Sequence, residues 1–180
     1  MASWMRFMRD RRGVSAIEFA MIAPIMILIY VGVAETGNLL TIYRRTSTVA
    51  TTASDLTAQV KKVSPADLQD IVAASTSILT PYPTSPLKIV ITSVVADKDN
   101  NGTVAWSYSN KGAARACNSA YAVPTGLTEA GSSVIVAEIT YAFTPLLGLT
   151  TIFSPAAFDI KRTFYTRPRR SLTVVKSDGC

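Results

Sequence analysis

From Phe19 to Ala34 sixteen consecutive residues carry no charge, and with Glu18 and Glu35 included the helix-compatible apolar segment reaches from Val14 to Tyr43. A bilayer's hydrocarbon needs about 20 residues at 1.5 Å rise each, so this segment is long enough to cross one. The periodicity then persists. Leu39, Ile42, Thr46, Val49, Ala53, Leu56, Val60 and Val63 recur at alternating spacings of three and four, the mark of a helix with one apolar seam. Thr48, Thr51, Thr52, Ser54 and Asp55 fill the opposite side. No glycine or proline interrupts Asn38 to Ser64, so the pattern predicts one continuous helix from Val14 to about Lys62, about 70 Å long. Pro24 stands inside it, where the missing N–H and the clash with the Ala20 carbonyl permit a bend.

Ser64-Pro65-Ala66-Asp67 restarts the chain with a helix-start signature: serine at the N-cap, proline at the first helical position, aspartate in the first turn. A second helix from Pro65 to about Leu79 is expected, with Leu68, Ile71, Val72, Ser75 and Leu79 facing the core. Pro81, Pro83 and Pro86 end it. The remainder reads as strands. Lys88–Ala96 and Thr103–Ser109 are joined by the polar turn 97–102 as a hairpin, and Ser133–Phe143 and Phe158–Arg167 repeat the pattern. On the third strand Ile135, Ile139, Tyr141 and Phe143 share a face; on the fourth Phe158, Ile160, Arg162 and Phe164 do. The fold class is therefore α+β: a long N-terminal helix, a second helix, and a four-stranded antiparallel sheet with one face buried and the other wet. Two looser segments fill the gaps. Asn110 to Gly131 carries Cys117; Thr144 to Pro155, with Leu146, Leu147, Leu149, Ile152 and Phe153, reads as a short helical insert or an apolar patch.

Composition adjusts this picture in two places. The 180 residues hold 18 Lys and Arg against 12 Asp and Glu, and fourteen against nine of these lie from Arg44 onward, a modest basic bias. Such a bias suits acidic headgroups, surface polymers or solubility, and it would point to nucleic acid only if the charge were concentrated on one element with stacking aromatics. The densest cluster, Arg162, Arg167, Arg169 and Arg170, reads as a strand leading into a solvated tail. Four arginines (Arg6, Arg9, Arg11, Arg12) precede the apolar run and two (Arg44, Arg45) follow it, so the positive-inside bias keeps the amino terminus cytoplasmic. Cys117 and Cys180, the only cysteines, then lie on the oxidising side and can form one intramolecular bridge. The chain divides into a basic leader (1–13), a membrane helix (14–43) and one extracytoplasmic α+β domain (44–180).

Glu18 requires its own explanation, because a carboxylate inside hydrocarbon costs about 3 kcal/mol on insertion scales. Gly13 follows Arg11 and Arg12, and Glu18 is the fifth residue after that glycine. This resembles the processing site of type IV prepilins and pseudopilins. With Glu18-Phe19-Ala20 and Pro24 the segment is similar to the narrower signature of the TadE-like pseudopilins of the tight-adherence (Flp-type) pilus. The resemblance rests on the first quarter of the chain. To a lesser degree it rests also on Tyr165-Thr166-Arg167-Pro168-Arg169-Arg170 with a cysteine near the terminus, which is similar to the end of some members. It implies that a prepilin peptidase cuts after Gly13 and leaves the helix in place. The new α-amino group of Val14, of a kind that titrates near about 8, would pair with Glu18, often across neighbouring subunits, with Glu18 and Phe19 at the subunit contact. It also implies a non-catalytic role in pilus assembly, with other pilus subunits as partners, in the bacterial inner membrane.

An ordinary secretory signal is the competing reading. Arg6 to Arg12 would be the n-region, the apolar run the h-region, and Gly32-Val33-Ala34 the cleavage triplet, leaving a secreted or anchored ligand-binding or sensory domain that begins at Glu35. Glu18 near the start of that h-region, and a length beyond the usual run of about 7 to 15 residues, weigh against it. Catalytic chemistry has little to stand on. The chain has no histidine, which removes the usual base of Ser-His and Cys-His sites, and two separated cysteines do not make a zinc site. No cofactor is implied, and no Gly-rich phosphate loop is present. Asp97-Lys98-Asp99-Asn100-Asn101-Gly102 matches the opening half of an EF-hand loop, but Tyr108 stands where the bidentate glutamate belongs. A hairpin turn is the expected reading.

Overall fold

The computed structural model describes residues 12–99, 101–145 and 157–180. Residues 1–11 of the expected leader (1–13) and the apolar segment with Leu146, Leu147, Leu149, Ile152 and Phe153 lie outside the described residues.

Helix α1 runs unbroken from Arg12–Ala58, through Pro24. Its upper part is the spine of the domain. Ile42, Thr46, Val49, Ala50, Ala53, Ser54, Thr57 and Ala58 are all buried, a stripe two residues wide because the sheet covers one flank and the second helix the other. Leu56, expected in the seam, is only half-buried, and Ser54, expected outside, is fully buried. The reason is that small side chains let the helix approach its neighbours closely, and their hydroxyls stay satisfied by bonding the preceding turn. Ser54 Oγ donates to Thr51 O (3.0 Å) and Thr57 Oγ1 to Ala53 O (2.8 Å).

Strand β1 (Lys62–Val63) leads to helix α2 (Pro65–Thr76), which continues as a 3-10 turn (Ser77–Leu79). The start signature holds as a reciprocal cap: Ser64 N–H donates to Asp67 Oδ2 (2.8 Å) and Asp67 N–H to Ser64 Oγ (3.2 Å). Leu68, Val72, Ser75 and Leu79 are buried against α1, as the stripe predicts.

The strands are β2 (Leu87–Ala96), β3 (Gly102–Ser109), β4 (Ala120–Tyr121), β5 (Ser133–Phe143), β6 (Phe158–Thr166) and β7 (Val175–Lys176). The main sheet has five strands in the order β4-β3-β2-β5-β6, with every pair antiparallel. Four were expected; the fifth, β4, is two residues long, too short for any alternation to show. It sits so close that a Cβ at Gly102 would overlap the Tyr121 carbonyl oxygen and Val94, so only glycine fits there. β1 and β7 form a separate parallel pair.

The helix-side face of the sheet buries Ile89, Ile91, Trp106, Ile135, Ala137, Ile139, Tyr141, Phe143 and Ile160. The opposite face is not simply wet. Val94, Val123, Val134 and Val136 form a second cluster there, flanked by Tyr121, Leu127 and Tyr165. A register shift between Ser93 and Val94 sets Val104 opposite Val94 but Trp106 opposite Ser93. Val104 therefore lies opposite Val94 of the second cluster while Trp106 stays in the main core, the break that a bulge makes in a strand's alternation.

The C-terminal segment is the largest departure from expectation. It is a strap rather than a solvated tail. Arg169 N–H caps Ala58 O at the end of α1 (2.9 Å), Val175 N–H reaches Lys61 O (3.1 Å), and Ser177 N–H reaches Val63 O (2.9 Å). Buried Val174 accepts the Trp106 indole N–H (2.7 Å). Cys180 then joins Cys117, with their Cα atoms 6.0 Å apart.

Candidate functional site

A helix is held by what it buries, and the first part of α1 buries almost nothing. From Gly13 to Ala20 every residue is exposed, and Phe19, Met21 and Tyr30 are each more than seven-tenths exposed. Ile17, Ile25, Ile27, Ile29 and Val33 add exposed apolar surface all around the cylinder. Water does not support such a surface, whereas a bilayer or neighbouring apolar helices do. The helix holding this run is long and apolar enough to cross a membrane.

The residues singled out from the sequence fall on this free segment. Gly13 is the second residue of α1, Val14 follows it, and Glu18 and Phe19 lie just over one turn further on. The structure brings these four together by helical proximity alone. Open space surrounds Gly13, where an added Cβ would meet no heavy atom within 4 Å. Cys117 and Cys180 lie in the other part of the molecule, and their bridge ties the strap to the loop ahead of β4.

What the sequence did not reveal is how firmly the upper part of the helix is clasped. Arg162 of β6 lays its guanidinium 4.3 Å from the centre of the Tyr43 ring, donating to the Tyr43 hydroxyl and to Ser47 Oγ (2.8 Å). Arg45 donates to Ile78 O (2.8 Å) and Thr80 O, satisfying carbonyls at the end of the 3-10 turn, and lies 5.5 Å from the Tyr82 ring. Arg169 pairs with Asp55, and Arg167 donates to Leu127 O (2.8 Å) and Gly126 O (3.1 Å). These arginines are struts between α1, β6 and the loops. On the outer face of the sheet Arg115 forks onto Glu138 (2.7 and 2.8 Å) over the Tyr121 ring, whose phenol burial pushes up.

The Asp97 turn is a closed hairpin turn. Its carboxylate accepts the N–H groups of Asp99 (2.9 Å) and Asn101 (2.8 Å), and these bonds, chiefly to Asn101, hold it below the usual carboxylate range. Among the described residues no group of three or more His, Cys, Asp or Glu is placed to hold a metal ion.

Residues 13–55 match the model of the TadE-like protein family. The matched segment is α1 almost to its end at Ala58, and the sheet domain lies outside it. No curated protein and no solved structure matches the chain.

Proposed function

We propose that this chain, whose first helix is TadE-like, is a membrane-anchored pseudopilin or minor pilin that acts in assembly of a tight-adherence (Flp-type) pilus. It is a structural subunit without catalysis of its own, and its partners are a prepilin peptidase and other pilus subunits. The observation that carries this reading is Glu18 on an otherwise apolar, uncovered helix, five residues after Gly13 in the segment that matches the family. A mere anchor has no use for that carboxylate; a helix that meets a cleaved amino terminus does. Residues 1–13 are the leader, 14–43 the membrane span, and 44–180 the domain on the periplasmic side of the bacterial inner membrane, with the amino terminus cytoplasmic.

Intact-mass measurement on protein from the native envelope tests the processing step. The mature chain is expected to begin at Val14; a chain beginning at Glu35 would instead establish the secretory-signal reading. Gly13→Lys should abolish the cut while membrane insertion persists. Because the space at Gly13 is open, the loss would report on recognition by the peptidase rather than on misfolding.

A further inference from the structure

Strand β6 runs alongside α1 with its first residue at the end nearer the uncovered helix: Arg162 bonds Ser47, and Thr166 bonds Ser54. At that lower end an apolar cleft of about 330 Å³ opens between Leu39, Leu40 and Tyr43 of α1 and Phe158, Ile160 and Lys161 of β6. Its walls are exposed where a folded domain would ordinarily cover them, with Leu40 52%, Tyr43 42% and Phe158 45% exposed. The residues are nonetheless fixed. Phe158 packs on Phe143 with ring centroids 5.3 Å apart, and Tyr43 is held under Arg162.

The height of the cleft along α1 indicates what covers it. A hydrocarbon span of about 20 residues that begins between Val14 and Glu18 ends between about Val33 and Gly37. The interfacial layer adds about 5 to 7 Å on that side, or three to five residues, so it ends between about residues 36 and 42. The cleft at Leu39 to Tyr43 therefore lies in the outer part of the headgroup layer or just above it. Glu35, Thr36, Gly37 and Asn38 separate the cleft from the purely apolar surface of the helix below, and two aromatic rings at that depth suit an interface where one side is apolar and the other wet.

We propose that this cleft is a phospholipid-docking surface: Tyr43, Phe158 and Leu40 sit against the headgroups, and the domain rests on the membrane instead of standing off it. Asp159 and Lys161 at the rim cancel in charge, while Arg44 is exposed beside Tyr43 and Arg162 lies over its ring, so the surface accepts phospholipid with zwitterionic or acidic headgroups. The proposal rests on the membrane-anchored reading above. The docked cleft fixes the tilt of the domain on its helix, and thereby which flank of the upper helix is offered to a neighbour.

The test uses the full chain with Trp4→Phe, reconstituted in phosphatidylcholine vesicles and in vesicles containing phosphatidylglycerol, with a nitroxide on the headgroup as quencher. Trp106 is an internal control. It pairs with Ser93, which pairs with Ile135 and so with Thr166 beside Ser54, about 15 to 20 Å above the cleft at 1.5 Å per residue. Phe158→Trp should add emission that is quenched several-fold more strongly than that of Trp106 in both vesicle types; Leu40→Trp should do the same and serves if the first variant folds poorly. Quenching of the new tryptophan no stronger than that of Trp106 overturns the proposal. So does shielding from both lipid quencher and aqueous iodide, which would assign the cleft to another protein chain. Ile27→Trp with an acyl-chain quencher separates the two levels. If the Ile27→Trp variant is quenched and the Phe158→Trp variant is not, the docking surface alone is refuted; if the Ile27→Trp variant is not quenched either, the anchor is refuted as well.

Discussion

One unbroken helix carries two opposite environments, and the boundary lies near Leu40. Below it, Ile27 is 61% exposed and the helix is almost bare until Leu39 meets the main core; above it, Ile42 is 4% exposed in that core. Hydrophobicity does not set which half is buried, because the apolar residues are bulkier below the boundary than above it. The buried half is rich in Ala, Ser and Thr, since it must fit between a sheet and a second helix. The exposed half is rich in Ile, Met and Leu and is left bare by the described residues, as suits a bilayer or neighbouring apolar helices. Side-chain size along α1 thus tells which half finds its partner within the molecule.

Matched substitutions in the two halves should diverge the most. Ile42→Ala, in the main core, should lower domain stability by about 2 to 5 kcal/mol, whereas Ile27→Ala should leave the unfolding midpoint unchanged. Denaturant titration of the full chain in detergent, followed by Trp106 emission, checks both. Equal effects would erase the boundary. Next comes the strap: replacing Cys117 and Cys180 together by alanine opens a loop of about 64 residues, worth up to about 4 kcal/mol in the chain-entropy model. The loss should appear in the domain transition, with membrane insertion of the lower half unaffected when scored by carbonate extraction.

Smaller effects come from the cap of α2. Ser64→Ala should cost about 1 kcal/mol. The Asp67 carboxyl lies below its ordinary range because it accepts the Ser64 backbone N–H, then the Ser64 hydroxyl. A depressed carboxylate contributes stability that is fully present above its unfolded value near about 3.9 and is lost as pH falls through the lower folded value. Acid titration of the domain should therefore show a stability decline beginning below about pH 4, and Asp67→Asn should reduce it, leaving the part that Asp97 contributes. No such change is expected in the lower half.

The fold was legible where its causes are local. Ser64, Pro65 and Asp67 announce a helix start within four residues, and β2, β5 and β6 were readable from their β-branched runs. The seam of α1 was read correctly at Ile42, Val49 and Ala53 and misread at Ser54, because residue polarity does not show that a hydroxyl can be satisfied by its own helix. β4 was invisible for want of length. The arginines of the C-terminal region looked like solvation because their partners are far away in the chain: Arg162 meets Ser47 across 115 positions and Arg169 meets Asp55 across 114. Of the candidate site, Gly13, Glu18, Phe19 and Pro24 carried the resemblance by themselves, in the segment that the TadE-like family model also matches. The basic leader and short spacings make that signature readable without any fold.

The central claim is that Glu18 serves a contact between subunits, and Glu18→Leu in the native host tests it most directly. Membrane abundance, cleavage after Gly13 and surface piliation are scored separately. If the helix is only an anchor, the change removes a charge from hydrocarbon, eases insertion by about 3 kcal/mol, and leaves all three readouts intact. If Glu18 pairs with the amino terminus of Val14 in its own or a neighbouring subunit, the change strands that amine in a low-dielectric place at a cost of several kcal/mol. The account predicts normal abundance and normal cleavage with lost piliation; normal piliation would contradict it.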